Sequence, residues 1–285
     1  MHYLITGHSG FIGSELIRIL NLEIRNYSLI YREGVEPKLP CLLDKNEDIV
    51  LLHLAGLAHR NASYDELYEA NVTYLVNTIK KTNRAYNLKK ILFLSSVAVY
   101  GLHESEKVID ENSLLHSDDA YGAVKIIAES KIAQLSQQYH FDYVILRPPL
   151  VYGAGSPGNL SQLKKWGERV HLLPLGLARS ERTMICVTDL ARAIIISADH
   201  PTSLKMAFNV CEDKGLSTKT LMENLQLKNY YSLPIPIIIM KWFLLAVGKK
   251  KLYQQLYGQR LFSNKLITEV TGWKPKFNAL EHLDI

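Results

Sequence analysis

Short apolar runs alternate with longer stretches of helical periodicity through the first half of the chain. The runs Tyr3 to Thr6, Ser28 to Tyr31, Ile49 to Ala55, Ile91 to Ser95 and Tyr143 to Arg147 predict strands. Between them, apolar residues recurring at three and four positions predict helices over Ile12 to Leu20, Tyr64 to Tyr86 and Tyr121 to Tyr139. Such alternation predicts an α/β fold built on a parallel, doubly wound sheet. Regularity breaks after Pro148-Pro149, where Gly153, Gly155, Pro157 and Gly158 predict a loop opening a smaller C-terminal lobe. The expected partition is a first domain over 1–155, with 180–200 returning to it, and a lobe made from 156–179 and 201–285.

The first strand runs straight into Gly7-His8-Ser9-Gly10-Phe11-Ile12-Gly13 and then into the first helical pattern. This strand, turn and helix context is the one in which a glycine run binds a dinucleotide, in a Rossmann domain. Gly7 permits the turn, Gly10 lets backbone approach a pyrophosphate at the helix N-terminus, and Gly13 allows helix and sheet to pack closely. The spacing is G-x-x-G-x-x-G. Downstream, Tyr121 and Lys125 lie four residues apart at the head of a predicted helix, which stacks phenol and ammonium on one face. A positive charge there stabilises phenolate and is expected to lower the tyrosine pKa, preparing a proton donor and acceptor.

With 285 residues, 47% of them hydrophobic, the chain can bury a large core, which excludes a disordered protein. The formal charge of +5 suits an anionic ligand such as a nucleotide, but no basic run with interleaved aromatics suggests a nucleic-acid groove. Cys41, Cys186 and Cys211 are odd in number and widely spaced, so neither a disulfide framework nor a metal site is expected. The absence of a signal-like opening places the protein in the cytoplasm by expectation. Ile237 to Val247 is almost continuously apolar and is followed by Lys249-Lys250-Lys251. It is too short to span a bilayer, so a packed helix is expected, with a helix lying on a membrane or binding a partner as the alternative.

Further stretches extend the pattern: His53-Leu54-Ala55-Gly56, Asn71-Val72, Ser95-Ser96-Val97-Ala98-Val99-Tyr100-Gly101, Tyr121-Gly122-Ala123-Val124-Lys125, Leu146-Arg147-Pro148-Pro149, Val151-Tyr152-Gly153, Val187-Thr188-Asp189-Leu190 and Gly272-Trp273-Lys274-Pro275. With the glycine run, they resemble the extended short-chain dehydrogenases/reductases of the nucleotide-sugar epimerase, dehydratase and reductase group over nearly the whole length. The resemblance implies Tyr121 as general acid/base, Lys125 on the nicotinamide ribose, Ser96 on the reacting sugar oxygen and Asn71 supporting them. It implies a cofactor site of Gly7, Gly10, Phe11, Ile12, Gly13, Arg32, Ala55, Gly56, Lys125 and Pro148. Substrate contacts would come from Ser96, Asn159, Leu160, Arg182 and, as a weaker candidate, Arg260. A homodimer built from a bundle of the helices near Tyr64 to Tyr86 and Tyr121 to Tyr139 is implied as well. His53, at the end of a buried strand, is expected to satisfy backbone groups.

Family 4,6-dehydratases resemble one another in carrying Asp and Glu after the matching hydroxyl residue, where this chain has Val97 and Ala98. Neither can transfer a proton, so dehydration is disfavoured. Arg32 follows the second predicted strand, where an acidic residue would bind the adenosine ribose of NAD. A guanidinium there suits a 2'-phosphate, hence NADP. The expected reaction is NADP-dependent reduction of a nucleotide-linked 4-keto sugar for surface polysaccharide synthesis, the segment from Arg147 to Gly176 resembling enzymes that reduce UDP-2-acetamido-2,6-dideoxy-4-hexulose. The alternative is a 4-epimerase acting on a UDP-hexose or UDP-N-acetylhexosamine with tightly bound NAD. A non-catalytic dinucleotide-binding regulator is a third, and retention of Tyr121 and Lys125 argues against it. Between Arg32 and Asp48 there is no room for the usual helix linking the second and third strands, which leaves the adenine side open, with Asp44 a possible contact.

Overall fold

The computed structural model describes the chain apart from residues 41, 42, 45, 59–61, 158, 171, 226–230 and 278–285, and apart from the side chains of 159–162 and 164. Six parallel strands form the central sheet: β1 (His2–Thr6), β2 (Tyr27–Leu29), β3 (Asp48–His53), β4 (Asn87–Leu94), β5 (Asp142–Arg147) and β6 (Lys205–Asn209). Their spatial order is β6-β5-β4-β3-β1-β2. Chain direction across the sheet therefore reverses between β1 and β3, and in such sheets a ligand crevice opens at the carboxyl ends on either side of the reversal. Register makes those ends level, since Thr6 pairs with His53 and Arg147 with Asn209.

The four inner strands are largely apolar because the sheet is covered on both faces. On one side lie α1 (Phe11–Leu22) and α6 (Val187–Asp199), which share a core with Ile5, Val50, Leu52, Leu92 and Leu146. On the other lie α2 (Tyr64–Tyr68), a π-helical turn (Glu69–Thr73), α3 (Tyr74–Ala85) and α4 (Ala120–Tyr139), packed over Leu4, Leu51, Ile91 and Phe93. A third core around Tyr152, Leu163, Met222, Met240, Leu244 and Tyr257 belongs to elements outside the sheet. They are α5 (Asn159–Arg169), α7 (Thr218–Asn224), α8 (Ile237–Ala246), α9 (Lys250–Tyr257) and short strand pairs. Last comes α10 (Lys265–Thr271), whose Ile267 and the following Trp273 return to the sheet's core.

Several expectations shift here. The run Ser28 to Tyr31 divides: Tyr27–Leu29 joins the sheet, and Tyr31–Glu33 turns into an antiparallel hairpin with Glu36–Lys38. This hairpin occupies the stretch judged too short for a connecting helix. The long helix predicted over Tyr64 to Tyr86 is interrupted by the π turn, where the Tyr74 N–H donates to the Glu69 carbonyl. The strand Lys205–Asn209 falls outside the five apolar runs. Its burial rises only toward Phe208 and Asn209, and what recruits it is parallel pairing with β5.

Candidate active site

At the end of β1 the chain turns at Gly7, pressed against the segment that leaves β3: a Cβ on Gly7 would lie 2.5 Å from the Ala55 nitrogen. Gly13 in the first turn of α1 meets the same loop from the other side. A Cβ there would lie 2.8 Å from His8 Cα and closer still to the Gly7 carbonyl oxygen, so only glycine lets α1 start so near the sheet. Gly10 caps α1 without a side-chain hydrogen bond. The first-turn N–H groups of Phe11, Ile12 and Gly13 thus head a helix with no intrahelical acceptor, at the positive end of its dipole. This is the arrangement that holds a phosphate. Phe11 leans toward Gly153, and a cavity of about 320 Å³ beside them is lined by Ser14, Glu15, Arg18 and Thr188. It flanks the glycine turn rather than the tyrosine.

Across the crevice, β4 ends in Ser95-Ser96 and a 3-10 turn over Val97–Tyr100. Ser96 Oγ caps that turn by accepting from the Ala98 N–H at 3.2 Å. The Val97 N–H donates to the Pro148 carbonyl at 3.1 Å, tying the exits of β4 and β5 together. The first turn of α4, capped by Asp119 accepting from the Gly122 N–H at 2.7 Å, packs directly on the 3-10 turn. A Cβ on Gly122 would lie 2.5 Å from the Ala98 carbonyl oxygen. Tyr121 is thereby set beside Ser96, close enough for the serine hydroxyl to act on the phenol.

Lys125 is buried one helical turn further on. Its Nζ donates to the Leu94 carbonyl at 3.0 Å, sits 4.7 Å over the Phe93 ring and lies 5.8 Å from the centre of the Tyr121 ring. Burial lowers its pKa to about 8, against an upward pull from Glu129. The Tyr121 phenol is pushed up to about 12, first by burial and also by the Asp119 charge, with the Ser96 hydroxyl pulling it down. The expectation of a lowered tyrosine pKa is therefore reversed. Desolvation outweighs the serine hydroxyl, and the ammonium is spent on a strand-end carbonyl instead of the phenol.

Asn71 lies in the π turn, buried, its Nδ2 donating to the Leu57 carbonyl at 3.0 Å and the Leu67 carbonyl at 2.9 Å. Its Oδ1 is buried without a partner. That oxygen and Lys125 Nζ both border Gly56, lying 2.6 and 3.3 Å from where its Cβ would be. Gly56 itself is exposed. An orphan acceptor, a buried ammonium and an open backbone edge thus face one place, and with the glycine turn they fit a dinucleotide. Arg32 lies past β2 in the hairpin, its Nε donating to the Gly34 carbonyl at 2.5 Å and its guanidinium 5.1 Å from the Tyr74 ring centre. Its neighbour Tyr31 meets the His8 ring of the glycine turn edge-on at 5.0 Å.

The two substrate-side arginines differ from expectation. Arg182 Nη1 donates to the carbonyls of Gln254 at 2.7 Å and Gly258 at 3.2 Å, closing the C-terminal end of α9. Arg260, the weaker candidate, stands nearer the chemistry: its Nη2 donates at 3.1 Å to the carbonyl of Val97, next to Ser96, while its Nε is buried without a partner. Burial, with Arg182 close by, lowers its pKa to about 10. Asn159 and Leu160 begin α5, and their side chains lie outside the described residues. His53 does not satisfy backbone groups, for neither ring nitrogen has a partner. Burial first, then Lys125 and Arg32, drive its pKa down to about 3, so it stays neutral between the Tyr74 and Phe93 rings.

Beneath the site lies a buried network absent from the sequence-based candidates. Glu129, one turn beyond Lys125 on α4, accepts from Arg147 Nη2 at 2.6 Å, Arg147 Nε at 3.1 Å and Ser95 Oγ at 2.5 Å. Arg147 Nη1 donates to Tyr100 Oη at 3.0 Å, and Tyr100 donates to Asn209 Oδ1 at 2.8 Å. Its signal was a glutamate on the buried face of the Lys125 helix.

The doubly wound sheet, the glycine turn and the Ser96, Tyr121 and Lys125 cluster define a Rossmann enzyme of the extended short-chain dehydrogenase/reductase type. Residues 3–211 match the model of the NAD dependent epimerase/dehydratase family, and the chain belongs to that family, whose members include nucleotide-sugar epimerases and oxidoreductases. It is similar to the UDP-glucose 4-epimerase of Vibrio cholerae, with 27% identity over 95% of this chain and 90% of that one. In fold it resembles RMD from Pseudomonas aeruginosa, solved with NADPH (TM-score 0.78, 19% identity, 99% and 96% of the chains covered). A UDP-glucose 4-epimerase from Thermotoga maritima, solved with UDP-glucose, is also close (TM-score 0.73, 21% identity, 100% and 96%).

Proposed function

We propose that the protein reduces the 4-keto group of a nucleotide-linked sugar with NADPH. The observation that carries the reading is the meeting of Ser96 and Tyr121 at the carboxyl edge of β4, across the sheet reversal from the helix N-terminus at Gly10. Gly7, Gly10, Phe11, Ile12, Gly13, Ala55, Gly56 and Pro148 would hold the cofactor, with Lys125 on its nicotinamide ribose. Bound there, a nicotinamide dinucleotide supplies hydride to the sugar carbonyl carbon. The carbonyl oxygen gains negative charge as the carbon becomes tetrahedral, and donors aimed at that oxygen stabilise the charge where it grows. Ser96 Oγ hydrogen-bonds it, and Tyr121 Oη gives it a proton. A phenol whose pKa burial raises is suited to that donation. Arg260 and Arg182 supply positive charge for a diphosphate beside the Ser96 turn, Arg260 Nε being the donor with nothing to bind. Arg32, in place of an acidic residue, favours the 2'-phosphate of NADP.

A second reading, 4-epimerisation with tightly bound NAD, is favoured by the similarity to the Vibrio cholerae epimerase. Purified protein separates the two. Consumption of NADPH with a UDP-4-keto-6-deoxy sugar supports reduction. NAD released on denaturation, together with conversion of UDP-glucose or UDP-N-acetylglucosamine without added cofactor, overturns it in favour of epimerisation. Tyr121→Phe should abolish either activity with NADPH binding retained, and full turnover in that variant rejects the site. A homodimer through α2, α3 and α4, which pack side by side within one protomer, accompanies this reading, and sedimentation checks it.

A further inference from the structure

The helix α8 is held to the protein by a narrow stripe. Only Met240 and Leu244 are buried, while Ile238 is 64%, Ile239 55%, Trp242 70% and Phe243 58% exposed. At about 100° per residue, Ile238, Trp242 and Leu245 fall within about 60° of one another on the side turned away from the buried stripe, with Ile239 beside them and Phe243 on the flank between that side and the stripe. Leaving such a surface in water is unfavourable, and a contiguous apolar patch of this kind marks a docking site.

Charge identifies the occupant. There is no Asp or Glu between Glu223 and Glu269, and that stretch contains Lys241 on α8 and Lys249, Lys250 and Lys251 immediately after it. The chain turns at Gly248, and the Lys249 N–H donates to the Leu244 carbonyl at 2.7 Å, so these lysines emerge at the end of the apolar face. Lys250 and Lys251 open α9, whose first turn has no acidic residue, against the preference of a helix N-terminus for negative charge. Folding therefore gains nothing from their position. A second copy of the chain seated on this face would offer these lysines no carboxylate from the same stretch, which is without Asp or Glu between Glu223 and Glu269. An anionic surface that also accepts tryptophan and phenylalanine would satisfy both features. No helix among the described residues is long and apolar enough to cross a membrane.

We propose that α8 and the lysines that follow it dock the protein on the surface of a bilayer containing anionic phospholipid, with Ile238, Ile239, Trp242 and Phe243 entering at headgroup depth and Lys241, Lys249 and Lys250 meeting the phosphates. The face is separate from the catalytic crevice, so its test does not depend on which reaction is catalysed. The full chain is sedimented with vesicles of phosphatidylcholine alone and of phosphatidylcholine with phosphatidylglycerol. Wild type should pellet with the anionic vesicles and remain in solution with the neutral ones. Each lysine near such a surface strengthens binding about fivefold, so K241Q/K249Q/K250Q should weaken partition roughly a hundredfold. W242S/F243S should weaken it by about tenfold or more. Dinucleotide binding should be unchanged in both variants, showing an intact fold. Wild type staying in solution with anionic vesicles, or variants pelleting as wild type does, overturns the proposal. So does W242S/F243S converting an oligomer to a smaller species in gel filtration without any vesicle binding, which would assign the face to a second copy.

Discussion

Arg147→Met tests the network under the active site. The Glu129 and Arg147 side chains are each only 6% exposed, and Arg147 spends three nitrogen contacts, two on Glu129 and one on Tyr100. Removing the guanidinium leaves a carboxylate buried with only Ser95 Oγ as a side-chain partner, and an uncompensated buried charge costs about 3 to 5 kcal/mol. Glu129→Leu should cost a similar amount by stranding the guanidinium. Combined, the substitutions remove both members of the ion pair, while Lys125 loses the nearby Glu129 charge as it does in Glu129→Leu alone. What remains is Ser95 Oγ without its acceptor, about 1 to 3 kcal/mol, since Tyr100 keeps Asn209. The double variant should therefore be more stable than either single one, with a coupling energy above about 3 kcal/mol. Urea unfolding followed by far-UV circular dichroism, at matched slopes, gives the cycle. Single losses below about 1 kcal/mol, or simple additivity, would show that the pair contributes no such coupling.

Three other outcomes follow from the same geometry. Gly13→Ala drives a Cβ into the glycine turn, so α1 must retreat, and a displacement of about 1 Å should cost NADPH affinity on the order of a hundredfold with circular dichroism unchanged; unaltered binding, read by nicotinamide fluorescence, contradicts this. His53, at a folded pKa of about 3 against 6.5 unfolded, takes up a proton on unfolding at acidic pH; stability is thus lost as pH falls from about 6.5 toward 3, by about 1.4 kcal/mol per unit. His53→Leu should remove that dependence, and equal urea midpoint shifts for both proteins between about pH 7 and pH 5 refute the assignment. Arg32→Ala should weaken NADPH about tenfold or more while sparing NADH, and equal effects on the two would dismiss a phosphate contact.

The parts legible in the sequence are those fixed by local spacing. The glycine run and the Tyr121 and Lys125 pair each occupy one turn of chain, so periodicity alone brings their atoms together. What escaped depends on distant encounters. The bonds of Arg182 to the carbonyls that end α9 depend on where that helix arrives, and Arg260 stands beside Ser96 only because the chain from α9 crosses back over the 3-10 turn. Lys205–Asn209 has little strand signature of its own and is made a strand by β5. Lys125 lies on the expected helix face, yet its ammonium turns to the Leu94 carbonyl, a choice of rotamer no spacing encodes.

The π turn between α2 and α3 gives one rod two angular phases. In a helix of uniform pitch, Asn71 and the pair Leu75 and Ile79 would be locked in a fixed rotational relation, about 100° per residue. The wide turn loosens that relation, so the C-terminal half can keep Leu75 and Ile79 on the sheet while Asn71 points its free oxygen toward Gly56. Deleting a single residue here would restore uniform pitch and swing the asparagine out of alignment, an error that no substitution at position 71 could repair.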